Sequence, residues 1–125
     1  MQALVLDDSK STRMILRRMY QSLGFEVSEA ENGLEGLKVL KSMEKRPDLI
    51  SVDWDMPVMD GLAFVRALRA AYPTGSPPVV MVTAANDLDH VTTALEAGAT
   101  EYLMKPFTEE MIREKLELIG VIQPA

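Results

Sequence analysis

Five times in succession along the chain, a short continuous apolar run gives way to a longer segment whose apolar residues recur every three or four positions. Ala3-Leu4-Val5-Leu6 is the first such run, and it ends in Asp7-Asp8. A run this short and this uniformly apolar reads as a strand buried on both faces. Ser9 or Ser11 can then cap a helix carrying Ile15, Met19 and Leu23 at four-residue spacing, with Gly24 as its stop. Phe25 to Ala30 reads as a second strand, and Asn32-Gly33 as a turn. Leu34, Leu37, Leu40 and Met43 form the next helical stripe, closed by Pro47. The third apolar run is Leu49-Ile50-Ser51-Val52, again ending in an acid, Asp53. Beyond Pro57 and Gly61, a third helix is expected around Phe64, Val65 and Leu68. Pro78 to Thr83 is the most β-like stretch, and Leu88, Val91 and Leu95 mark a fourth helix ended by Gly98. Thr100 to Met104 reads as a fifth strand, followed by Lys105-Pro106 and a last helix capped by Thr108 that carries Ile112, Leu116 and Ile119.

Five strand-helix pairs in 125 residues imply an α/β fold, a parallel sheet with helices on both faces. That length fits one domain, and 47% hydrophobic with 26% charged residues is an ordinary globular balance. A net charge of −6 disfavours non-specific attraction to nucleic acid or anionic membranes. The absence of cysteine and the single histidine rule out disulfides, thiolate catalysis and a multi-histidine metal site. No apolar run approaches the ~20 residues of a membrane helix, and Met1-Gln2-Ala3-Leu4 has no basic leader, so a soluble cytoplasmic protein is expected.

Open parallel sheets bind ligands beyond the carboxyl ends of their strands. Those ends carry Asp7 and Asp8, Asp53, Thr83 and Lys105. Two carboxylates ~4 Å apart repel by about 4 kcal/mol at an effective dielectric near 20. Lys105 can cancel only one of the three negative charges of Asp7, Asp8 and Asp53. Either a carboxylate takes up a proton or a divalent cation completes the balance. All-oxygen ligands favour a hard ion, Mg²⁺ above all, with Mn²⁺ as a substitute.

The ordered set resembles the receiver domain of two-component response regulators, most closely the stand-alone CheY-like kind. Its carriers are Asp7-Asp8, the run Asp53-Trp54-Asp55-Met56-Pro57-Val58-Met59-Asp60-Gly61, then Val82-Thr83-Ala84 and Tyr102-Leu103-Met104-Lys105-Pro106-Phe107. Steps of 45, 30 and 22 positions separate Asp8, Asp53, Thr83 and Lys105. The resemblance implies a flavodoxin-like (βα)5 fold with strand order 2-1-3-4-5. A receiver domain would cover residues 1–122, leaving a short tail, 123–125, and no output domain. It implies that Asp53 accepts a phosphoryl group from a histidine kinase or phosphotransfer domain. Asp8 and Asp53 would bind Mg²⁺ directly, Asp55 through its backbone carbonyl and Asp7 through water. Lys105 and Thr83 would hold the phosphoryl oxygens behind a cis Lys105-Pro106 bond, and Tyr102 would swing inward as Thr83 moves. The fourth helix, fifth strand and fifth helix, roughly Asn86 to Ile119, would bind a downstream target. The implied protein is a monomeric phosphoacceptor in chemotaxis, not an enzyme acting on other substrates, and binds neither nucleic acid nor membrane.

Two positions depart from the common chemotaxis pattern: an acid, Asp55, where Asn is frequent, and a small Ala85 where longer polar side chains are frequent. Both flank the route of an attacking water and are expected to set the lifetime of the phosphorylated state. His90 reads as a surface residue, Trp54 as loop packing, and Arg13, Arg17 and Arg18 as the solvated face of the first helix. Asp53-Trp54-Asp55 also fits the DxD of haloacid-dehalogenase-type phosphatases, though the chain has no room for a substrate cap and Pro57 replaces the usual hydroxyl residue. A flavodoxin-like electron carrier would need a Ser/Thr/Gly-rich phosphate loop where Asp7-Asp8-Ser9-Lys10 stands, and a receiver serving a different output is a further alternative.

Overall fold

The computed structural model describes residues 1–124 as an unbroken alternation of strands and helices. In order these are β1 (Gln2–Leu6), α1 (Lys10–Ser22), β2 (Glu26–Ala30), α2 (Gly33–Ser42), β3 (Leu49–Val52), α3 (Gly61–Ala71), β4 (Val79–Thr83), α4 (Leu88–Ala97), β5 (Glu101–Met104) and α5 (Glu109–Leu118). The five strands form one sheet in the order β2-β1-β3-β4-β5, with every neighbouring pair parallel. This is the doubly wound arrangement expected from the sequence. β3 has the expected limits, and the other four strands differ from theirs by a single residue at the amino end. Gln123 and Pro124 follow without regular structure, and Ala125 of the expected tail lies outside the described residues.

Alternation along the strands divides the core between the two faces. Leu4, Leu6, Ile50, Val52 and Met81 face a layer that includes Leu40 of α2, Phe64 and Leu68 of α3 and Ala94 of α4. Val5, Leu49, Val80, Val82 and Leu103 face Leu16 and Tyr20 of α1 and Ile112 and Leu116 of α5. Each fully buried Leu, Ile or Phe contributes roughly 1.5–3 kcal/mol relative to exposure, so the sheet holds its position through these two layers. The helix starts are set by short polar caps. Ser9, Asn32, Asp60, Asp87 and Thr108 each accept a backbone N–H from the first turn that follows.

The expected helical stripes need correcting in three places. In α1 the buried positions are Leu16 and Tyr20, whereas Ile15 is 48% exposed. Tyr20 supplies the large apolar body, set edge-on against Phe25, and this rotates the buried face one position past the aliphatic stripe. In α2, Leu34 is exposed while Gly33 and Gly36 are buried. A Cβ at Gly36 would meet Leu6, so the helix approaches β1 through a missing side chain rather than a leucine. In α4, Leu88 and Leu95 are exposed and Ala94 is the buried contact, again a close approach through a small residue.

Candidate functional site

Register brings the polar strand ends together. Leu6 of β1 pairs with Val52 of β3, so the next residues, Asp7 and Asp53, leave the sheet side by side. Sheet order reverses between these two strands, which opens the crevice beside them. Thr83 pairs with Met104 at the ends of β4 and β5, and the Lys105 N–H donates to the Thr83 carbonyl at 2.9 Å. This bond directs the lysine back across the strand ends.

The Lys105 Nζ donates to Asp7 Oδ2 at 2.9 Å and to Asp53 Oδ2 at 3.2 Å. The other Asp7 oxygen accepts the Ser9 N–H, and the other Asp53 oxygen accepts the Trp54 N–H. Asp7 and Asp53 are buried, while Asp8 is exposed beside them. Burial pushes the Asp53 carboxyl above its ordinary value, the Lys105 charge pulls it down and the Asp7 charge pushes it up. Hydrogen bonding to Thr83 and Lys105 moderates the shift without reversing it. For Lys105, burial acts to lower the pKa, but its hydrogen bond to Asp7 and the charges of Asp53 and Asp7 outweigh it and leave the ammonium above its ordinary value. One carboxylate oxygen from each of Asp7, Asp8 and Asp53 falls within 4.8 Å of the others. Three hard oxygens around one point, countered by a single ammonium, fit a divalent cation with water completing its shell.

The loop from Asp53 to Gly61 folds back over the site. The Gly61 N–H donates to the Trp54 carbonyl at 2.8 Å, and a Cβ on Gly61 would collide with the Asp53 carbonyl. Glycine is therefore required by the close approach of the chain to the Asp53 backbone. Val58 at the loop tip takes φ 69° and is exposed. A β-branched residue in the left-handed region is a strained choice that its alternation pattern did not disclose. Asp55 is exposed on the same loop.

Thr83 is buried at the end of β4, its hydroxyl accepting the Ala85 N–H at 3.4 Å. Tyr102 is already inward: its ring is buried and its hydroxyl donates to the Ala85 carbonyl. The Lys105-Pro106 peptide is cis. His90 is half-exposed on α4, pairs with Asp87, and sets its ring edge-on to Trp54 with centroids 4.6 Å apart. Trp54 packs against the core layer beneath it. A cavity of about 480 Å³ lies between α1 and α2, lined by neither Asp7, Asp8 nor Asp53.

One reading of the first helix is overturned. Arg13 is not a solvated residue; its side chain is 14% exposed and its Nη1 donates to the Asp7 carbonyl at 2.6 Å. Glu29 of β2 receives both Arg13 and Arg17. Arg18 is exposed as expected, and the Arg17 side chain stays 41% exposed while it pairs with Glu29. Arginines at four-residue spacing look like a solvated helix face in sequence, and the acid that gathers them stands on another element.

A family model described as the response regulator receiver domain matches residues 3–117. The chain belongs to this receiver family, and within it to the CheY-like members. It is 40% identical over 120 residues to the chemotaxis protein CheY1 of Helicobacter pylori, covering 95% of this chain and 96% of that one. It is 39% identical over 121 residues to the sensor histidine kinase CheAY of the same organism, covering 94% of this chain and 15% of that protein. Among solved structures, the chemotaxis protein CheY4 of Vibrio cholerae superposes with a TM-score of 0.85 at 32% identity, covering 94% of this chain and 97% of that one. Among the described residues, no helix is long and apolar enough to cross a membrane.

Proposed function

We propose that the chain is a phosphoacceptor that takes a phosphoryl group on Asp53 and passes the signal by binding. The observation that carries this reading is the buried Asp53 carboxylate held between the Lys105 ammonium and the Asp7-Asp8 pair at the sheet's reversal point. An Asp53 carboxylate oxygen attacks phosphorus in a partner's phosphohistidine. The phosphorus–nitrogen bond breaks, and the imidazole keeps the electron pair and takes a proton. Carboxylates serve as nucleophiles of this kind elsewhere, and phosphoryl transfer depends mainly on positioning and charge.

Asp8 and Asp53 would hold Mg²⁺ or Mn²⁺ directly, with Asp7 acting through water and Asp55 through its carbonyl. The cation, when bound, offsets charge on the transferring group. Lys105 meets the phosphoryl oxygens as a compact positive charge, and Thr83 donates its hydroxyl to them. Phosphorylation changes a −1 carboxylate to a group near −2, enough to bias a two-state surface. The face built by α4, β5 and α5 carries exposed Leu88, Leu95, Met104, Met111 and Leu118, apolar groups available to a partner. Tyr102 and Thr83 connect the acceptor to that face through Ala85.

A histidine kinase or phosphotransfer domain is the donor in this reading, and the likeness to CheY1, CheY4 and CheAY supports a role in chemotaxis. The protein would work as a cytoplasmic monomer over residues 1–122, catalysing only its own phosphorylation and dephosphorylation. The test is incubation with acetyl phosphate and Mg²⁺ followed by intact mass. Wild type is expected to gain ~80 Da, the mass of the phosphoryl group, and Asp53→Asn to gain nothing. No gain on wild type, or an equal gain on Asp53→Asn, overturns the assignment.

A further inference from the structure

We propose that Arg13 is a positioning residue for the cation site, acting through the Asp7 carbonyl; this rests on the reading of Asp7, Asp8 and Asp53 as a divalent-cation site. The guanidinium comes from the first turn of α1 and is largely buried. Its Nη1 donates to the Asp7 carbonyl at 2.6 Å, while Nε donates to Glu29 Oε1 at 3.3 Å. Glu29 is anchored in turn by the pairing of β2 with β1, where it stands opposite Val5. Asp7 is thereby fixed on every side. Its N–H donates to Ala30, its carbonyl accepts Arg13, and its carboxylate accepts Ser9 and Lys105.

The consequence falls on Asp8. Its side chain is exposed, with no hydrogen bond among the described residues, so packing and partners do little to aim it. The peptide plane joining Asp7 to Asp8 does that instead, and Arg13 holds the oxygen of that plane. Groups that orient metal ligands without touching the metal commonly change affinity by 10–100-fold when removed.

Charge and positioning predict opposite signs here. Removing a cation from the neighbourhood of three carboxylates should tighten Mg²⁺ binding a few-fold if Arg13 acts only through its charge. Removing the clamp on the peptide should weaken it. Arg17 provides the control, because it shares Glu29 with Arg13 but makes no bond to Asp7.

The experiment is Mg²⁺ titration of the full, unphosphorylated chain, read by calorimetry and by Trp54 fluorescence. Arg13→Met is expected to weaken Mg²⁺ binding about 10-fold, Arg13→Lys to recover part of the loss, and Arg17→Met to leave binding unchanged or slightly tighter. Circular dichroism melts check the fold. If Arg13→Met does not fold, Glu29→Gln, which loosens the same clamp from its far end, is expected to weaken binding about 3-fold. Wild-type binding that is undiminished in Arg13→Met, or in Glu29→Gln where that variant stands in, overturns the inference alone. A wild type that takes up no Mg²⁺ overturns the cation-site reading and this inference together.

Discussion

The Tyr102 hydroxyl donates to the Ala85 carbonyl at 2.5 Å, tying the middle of β5 to the loop that follows β4. The ring is 5% exposed and joins the core layer beneath α3 and α4. Burial raises its phenol pKa, with the charges of Asp87, Asp53 and Asp55 adding to the effect, so the donor proton stays in place at neutral pH. The inward side chain is thus held by both packing and a hydrogen bond.

Tyr102→Phe keeps the packing and removes the donor. The net worth of one such bond is about 1 kcal/mol, which for a chain of this size lowers the melting temperature by roughly 3–5 °C. Phosphoryl uptake at Asp53 should be unchanged, because the Tyr102 hydroxyl bonds to the Ala85 carbonyl and not to Asp53 or Lys105. Parallel melts and intact-mass assays check both halves. A loss of mass gain would show that the hydroxyl takes part in the acceptor chemistry itself.

Asp53 imposes a cost on the folded state that depends on pH. Its folded pKa lies above the ordinary value of 3.8, so the folded chain holds its proton more tightly than the unfolded chain does. Between those two values the folded state binds more protons, and stability falls as pH rises through that window. Above the folded pKa the whole penalty is present. Asp53→Asn removes the titrating group and leaves Lys105 its bond to Asp7. It should therefore melt at a higher temperature than wild type at pH 7 without Mg²⁺, with the gain shrinking as pH is lowered toward 3.8. Melts of both proteins from pH 7.5 down to about 3.8 provide the measurement, and a less stable Asp53→Asn at pH 7 would refute the account.

The carboxylate site was legible because its residues follow directly on the apolar strands. Once Leu6 and Val52 are neighbours, Asp7 and Asp53 have no freedom to be elsewhere. The strand order was legible only through the family resemblance, since periodicity alone leaves several windings open. What sequence could not disclose were contacts decided by small or amphipathic residues. Tyr20 and Ala94, rather than Ile15 and Leu88, face the core because ring area and close approach outweigh aliphatic character at those positions. Arg13 was concealed for a different reason. Its partner oxygen is a main-chain carbonyl, and its other partner, Glu29, lies on β2. The strained Val58 was invisible because nothing in its residue type favours a positive φ.

If Asp53 carries a phosphoryl group as proposed, Asp55 and Ala85 are expected to govern how long it survives. Asp55 is an exposed acid on the loop after Asp53, and Ala85 is a half-buried small residue two positions beyond Thr83. Hydrolysis needs water in line with the phosphorus–oxygen bond, so side chains at the mouth control both its entry and the local charge. The Asp55 carboxylate repels a group carrying nearly two negative charges and so favours its loss. An exposed charge at this range contributes about 0.7 kcal/mol, which corresponds to roughly threefold in rate. Asp55→Asn should slow dephosphorylation by about that factor. Ala85→Gln, which adds cover without changing charge, should slow it as well. The check is decay of the phosphorylated mass after acetyl phosphate is removed, with Mg²⁺ held constant. Unchanged decay in both variants would remove these two positions as the determinants of lifetime.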